Sequence, residues 1–211
     1  MKDAERIKLK ICGMRKQENI LDVAGLNPDY MGFIFYEGSK RFVGNNFSLP
    51  ILFPSSVQRI GVFVNATTQE ILRLADKHTL DFVQLHGTEP VEQCTELREK
   101  GLNIIKAFGI GDGFDFEIVS PYKKIVDYFL FDTKGKNFGG NGAVFDWATL
   151  RKYDQSVPFF LSGGISPLNI KGVSALEGMN LHAVDVNSGV ESEAGIKDVE
   201  LVRRLMDLKF E

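Results

Sequence analysis

Short runs rich in β-branched and aromatic residues alternate along this chain with segments of helical periodicity, and that alternation limits the possible folds more than any other feature. The β-rich runs occupy 7–12, 30–35, 59–64, 82–85, 103–108, 128–132, 158–161 and 182–186. Apolar residues spaced three and four apart predict helices over 17–24, 68–77, 91–100, 145–152, 168–175 and 199–208. Two intervals are poorer in signal. Residues 45–56 hold two prolines and are expected to carry a turn or so of helix, while 112–122 has room for a short helix ahead of Val126. Strands alternating with helices at this spacing are βαβ units, because a parallel neighbour is reached only by a crossover on one face. Eight such units in 211 residues fit a closed (β/α)8 TIM barrel better than a doubly wound sheet. No Gly-x-Gly-x-x-Gly follows the first run, where a dinucleotide-binding sheet would carry it. With no linker or low-complexity tract, residues 1–211 are read as one α/β domain.

Charge and composition remove several function classes. The formal net charge is -3 and Lys and Arg are scattered, so no basic stripe marks a nucleic-acid footprint. No apolar run approaches the roughly 20 residues of a membrane span. The charged N-terminus lacks the apolar region of a secretory signal, so a cytoplasmic protein is expected. Two cysteines without ligand spacing and three dispersed histidines give no support to a metal site or a disulfide framework.

In an eight-stranded barrel the chemistry sits where strands end at their C-terminal side. Run one ends in Lys10-Ile11-Cys12-Gly13, a thiol followed by a residue that permits a sharp turn; position alone leaves a buried structural cysteine and a reactive one equally open. Cys94 falls inside a predicted outer helix and is assigned a packing or surface role. Run six closes on Asp132 before the Gly-rich stretch Gly139-Gly140-Asn141-Gly142, suited to meeting a ligand under a mobile cover. Runs seven and eight lead into Ser162-Gly163-Gly164 and Asn187-Ser188-Gly189, small-residue loops at the pair of strands where barrels often bind phosphate through free backbone N–H groups. A small phosphorylated ligand is expected. Arg41 lies near the rim after run two and suits forked hydrogen bonds to a carboxylate. His86, at the end of run four, is read as orienting a loop or contacting neutral ligand groups, and no neighbour marks it as a triad member.

Taken in order, these strand ends resemble the phosphoribosylanthranilate isomerase family. The resemblance is carried by Lys10-Ile11-Cys12-Gly13, Ser39-Lys40-Arg41, Val83-Gln84-Leu85-His86-Gly87, Asp132, Ser162-Gly163-Gly164-Ile165 and the stretch from Asp185 to Glu191, and it covers almost the whole chain. It implies a cofactor-free Amadori rearrangement of N-(5'-phosphoribosyl)anthranilate in tryptophan biosynthesis. In that scheme Asp132 matches the general acid and Cys12 the general base. Arg41 would hold the anthranilate carboxylate, and Gly163, Gly164, Ser188 and Gly189 the phosphate. His86 and Asp185 would face the ligand. The chain departs from the family at Asn187, where a small residue is usual, and at Ser192-Glu193-Ala194, which replaces a Pro-containing stretch. Sister phosphate-binding barrels would carry an Asp in place of Cys12 or a Lys-centred site, and a binding-only barrel would not need Cys12 and Asp132 together. Monomer and homodimer are both compatible with the sequence.

Overall fold

The computed structural model describes residues 6–133 and 146–209. Eight parallel strands close on themselves: β1 Lys8–Ile11, β2 Tyr30–Ile34, β3 Gln58–Phe63, β4 Phe82–Leu85, β5 Ile104–Ile110, β6 Tyr128–Thr133, β7 Phe159–Leu161 and β8 Leu181–Val186. Closure is the β8–β1 pairing, in which Lys10 lies opposite Asp185 and Ile11 opposite Val186. Side chains two apart on a strand share a face, and this splits each strand between two environments. Leu9, Ile11, Met31, Phe33, Val83, Leu85, Phe129 and Phe131 pack outward with the helices in one large apolar cluster. Tyr30, Ile60, Ile105, Leu130, Phe160 and Ala183 fill the barrel interior. Each fully buried Phe or Leu contributes about 1.5–3 kcal/mol, so this double core is what holds the strand ends in place.

Three crossovers are α-helical, α1 Gln17–Ala24, α2 Thr68–Lys77 and α3 Val91–Glu99, and a fourth helix, α4 Val199–Lys209, follows β8. Their buried stripes follow the three-and-four spacing, as in Ile20, Val23 and Ala24 of α1. Side-chain caps fix the starts of α2 and α4. Thr67 accepts from Glu70 N at 3.2 Å, and Asp198 accepts from Glu200 N at 2.9 Å. The expected helices over 145–152 and 168–175 are instead 3₁₀ segments, Trp147–Lys152 and Ile170–Leu176, and a third spans Phe116–Tyr122. Their inward residues explain the difference. Phe116, Val119 and Tyr122, then Trp147, Leu150 and Tyr153, then Ile170, Val173 and Leu176 recur every three residues, the repeat of a 3₁₀ helix. The second crossover contains no helix; a bridge between Ile34 and Phe42 carries it past the barrel rim and delivers Arg41. Beyond β8, Ser188–Val190 forms a 3₁₀ turn, and a two-stranded antiparallel hairpin follows, β9 Glu191–Glu193 and β10 Ile196–Lys197. Among the described residues, no helix is long and apolar enough to cross a membrane.

Candidate active site

Strand alternation continued past the apolar interior produces two polar layers at the C-terminal mouth. Lys10, Gln84 and Asp185 form the deeper one; Cys12 and His86, two residues beyond Lys10 and Gln84, form the outer one with Asp132, two residues beyond the interior Leu130. Lys10 Nζ donates to Gln84 Oε1 at 2.7 Å and to Asp185 Oδ2 at 2.9 Å, and its side chain is fully buried. Burial works against its charge, but Asp185 and a Cys12 thiolate outweigh it and keep its pKa above the ordinary value. Gln84 Nε2 lies 2.6 Å from His86 Nδ1, and His86 Nε2 lies 3.4 Å from Asp132 Oδ2. Asp132 Oδ1 accepts from Thr133 N at 2.8 Å. A continuous series of contacts therefore runs from Asp185 through Lys10, Gln84 and His86 to Asp132.

Cys12 sits just beyond β1, its N–H donating to Val186 O at 2.8 Å, and is buried. Burial pushes the thiol above its ordinary pKa of 9.0, while Lys10 and Lys197 pull the other way. Space for the sulfur comes from Gly32 on β2: a Cβ there would lie 2.6 Å from Cys12 Sγ and 3.2 Å from Lys10 Cε. Cys94, by contrast, is buried in α3, and burial pushes its thiol up to about 11.

Arg41 is clamped. Its Nε and Nη2 donate to Glu191 Oε1 and Oε2 at 2.8 and 2.6 Å. Glu191 Oε1 also accepts from Lys197 Nζ at 2.6 Å, and Lys197 donates to Asn187 Oδ1 at 2.8 Å. Burial would raise the Glu191 pKa, but Arg41 and Lys197 hold it below the ordinary carboxylate value. The hairpin β9–β10 thus fixes two of the guanidinium's three nitrogens. Asp185 Oδ1, on the same side of the barrel, is buried with no hydrogen-bond partner among the described residues.

The loops after β7 and β8 meet. Gly163 and Gly164 have φ of +100° and +66°, and a Cβ on Gly163 would come within 2.7 Å of Thr133 N. A Cβ on Gly189 would run into the Ile165 carbonyl. Among the described residues, the N–H groups of Gly163, Gly164, Ser188 and Gly189 donate to no acceptor. The stretch Gly139 to Gly142 lies outside the described residues.

Residues 9–208 match the family model for N-(5'phosphoribosyl)anthranilate (PRA) isomerase. The chain belongs to that family. An N-(5'-phosphoribosyl)anthranilate isomerase from Parabacteroides distasonis is 42% identical over 201 residues, 94% of this chain and 91% of the relative. The crystal structure of phosphoribosyl anthranilate isomerase from Thermotoga maritima superimposes with a TM-score of 0.84 at 34% identity, covering 97% of this chain and 98% of that one. A further phosphoribosyl anthranilate isomerase, solved in complex with reduced 1-(o-carboxyphenylamino)-1-deoxyribulose 5-phosphate, has a TM-score of 0.81 at 33% identity, covering 97% and 98%. The chain is accordingly an isomerase of tryptophan biosynthesis acting on N-(5'-phosphoribosyl)anthranilate. Within this isomerase fold, the mouth of the barrel collects every described residue that the sequence put forward. Sequence reasoning gave no part to Lys10, Gln84, Glu191 or Lys197. For the first two a signal was present, since a charged or amide side chain two residues ahead of a strand-end group must share its inward face. Glu191 and Lys197 meet only through the hairpin, which no alternation announces.

Proposed function

We propose that this isomerase works by acid–base catalysis, with Asp132 as acid and Cys12 as base, in a single domain acting in the cytoplasm without a cofactor. The Asp132 carboxyl gives its proton to the furanose ring oxygen as the bond from that oxygen to C1' breaks, leaving a Schiff base. The Cys12 thiolate then takes the C2' proton. The freed electron pair becomes the C1'–C2' double bond of an enolamine, which takes up a proton at C1' as the O2' proton is lost, giving the ketose with no net change in protons. Turnover thus leaves Cys12 as a thiol and Asp132 as a carboxylate, the state from which the next substrate starts.

The observation that carries this reading is that Cys12 and Asp132 stand at one mouth of the barrel, with Lys10 close enough to the thiol to pull its pKa down and linked through Gln84 and His86 to Asp132. Free carboxyls near ~4 and free thiols near ~8.5 start in the opposite protonation states from those required. Because burial raises the thiol further, the resting site holds a thiol and a carboxylate, and a proton passes between them as the anionic substrate enters. The Lys10 charge then stabilises the thiolate. Arg41 Nη1 and the unpartnered Asp185 Oδ1 are available to a substrate carboxylate and hydroxyl. The free N–H groups of Gly163, Gly164, Ser188 and Gly189 suit the phosphate. His86 faces the ligand beside Asp132. The protein acts as monomer or homodimer.

The test is the decay of substrate fluorescence with purified protein, corrected for spontaneous breakdown and run with and without inorganic phosphate. Rapid decay, slowed competitively by phosphate, is expected. Decay no faster than background from a folded protein would overturn the reading.

A further inference from the structure

We infer that Gln84 is a positioning residue that fixes which nitrogen of His86 carries the proton, and thereby places the N–H on the nitrogen nearer Asp132. The inference rests on the acid–base reading above. Its logic starts at Lys10, an ammonium with donors only. The Gln84 atom 2.7 Å from Lys10 Nζ must therefore be the carbonyl oxygen. That leaves the amide nitrogen facing the other way, 2.6 Å from His86 Nδ1. An amide nitrogen only donates, so Nδ1 must offer a lone pair, and the proton of the neutral ring is confined to Nε2. Gln84 is buried, so no solvent competes for either end of its amide.

His86 Nε2 is the atom 3.4 Å from Asp132 Oδ2. Thr133 N already donates to Oδ1, and a proton on Nε2 adds an electrostatic contact at Oδ2, longer than a hydrogen bond. The opposite tautomer would set two lone pairs against each other at Oδ2 and two donors against each other at Gln84. Gln84 touches neither the acid nor the reacting atoms; it acts through the ring, and the charge on Lys10 acts through Gln84.

Two-bond ¹H–¹⁵N correlation spectra of the labelled protein at neutral pH, with His86 assigned by its loss in His86→Asn, test this directly. The wild type is expected to show a protonated Nε2 and a bare Nδ1. Gln84→Glu keeps the length of the side chain but makes both ends acceptors, so it should bring a proton onto Nδ1. Turnover should then fall about tenfold or more, below the ~10²-fold of losing an acid outright, with KM little changed. A wild-type His86 protonated on Nδ1, which needs no variant to fold, would overturn the inference. So would a Gln84→Glu protein in which either the nitrogen pattern or kcat stays as in wild type. An inactive wild type with the expected nitrogen pattern would instead count against the acid–base reading.

Discussion

Replacing Lys10 with methionine removes a buried ammonium while nearly preserving volume, and the structure sets the size of the penalty. The side chain is 0% exposed and Asp185 is 5% exposed, so neither charge has access to bulk water. Without Lys10, Asp185 Oδ2 loses its donor, Oδ1 already lacks one among the described residues, and Gln84 Oε1 is left bare. Stranding one partner of a buried pair typically costs about 3–5 kcal/mol. Asp185 can limit that cost by taking up a proton. From an unfolded carboxyl near ~3.9, neutralisation costs about 4 kcal/mol at pH 7 and about 1.5 kcal/mol at pH 5, at 1.36 kcal/mol per unit. Because that proton is cheaper to supply at low pH, the stability lost at pH 7 should be partly regained as pH falls. With a urea slope of about 3 kcal/mol/M for a chain of this size, the unfolding midpoint should drop by roughly 1.3 M at pH 7 and roughly 0.5 M at pH 5. Adding Asp185→Asn to Lys10→Met should abolish the pH dependence. A midpoint drop below about 0.5 M at pH 7, or the same drop at both pH values, would refute the reasoning.

Three further outcomes follow from the same contacts. Because the thiol pKa is raised above 9.0, a resting thiol and carboxylate give a rate plateau that ends only where the thiol ionises; kcat/KM should hold through neutral pH and fall above pH 9, and an alkaline limb below pH 8 would contradict the raised thiol. Gly32→Ala adds a methyl 2.6 Å from Cys12 Sγ, so stability should fall by about 1–3 kcal/mol and turnover with it, although no functional group is removed; unchanged turnover in steady-state assays would show the sulfur is free to move. His182, whose pKa burial lowers to about 4, is more basic in the unfolded chain, so stability should decline as pH drops from about 6.5 towards 4; thermal melts of His182→Gln should lose that part of the decline.

Much of the barrel is legible in the sequence because strand and helix periods are local. β4 and α1 have the expected bounds, and β5 runs on to Ile110 where Phe108 was the expected end. The three 3₁₀ segments show where local reading stopped short. An apolar stripe such as Ile170, Val173 and Leu176 reads as helical on any spacing near three or four, and only its strict repeat of three distinguishes a tighter turn. Cys12, Asp132 and His86 could be picked out because strand ends are where a barrel exposes polar groups. The ions beneath and beside them were harder to assign. Glu191 and Lys197 lie within seven residues in sequence, yet their role appears only when the β9–β10 hairpin folds them against Arg41. Lys10 pairs with Asp185 through barrel closure, a contact between the first and last strands.

The central claim is that Cys12 and Asp132 act as one acid–base pair, and the most direct test is turnover of N-(5'-phosphoribosyl)anthranilate by Cys12→Ser, Asp132→Asn and the double variant. Each single change should lower kcat by at least ~10²-fold with the fold intact, and the double variant should be about as slow as the slower single one, because both groups serve one proton circuit. A near-normal rate in either single variant would contradict the assignment.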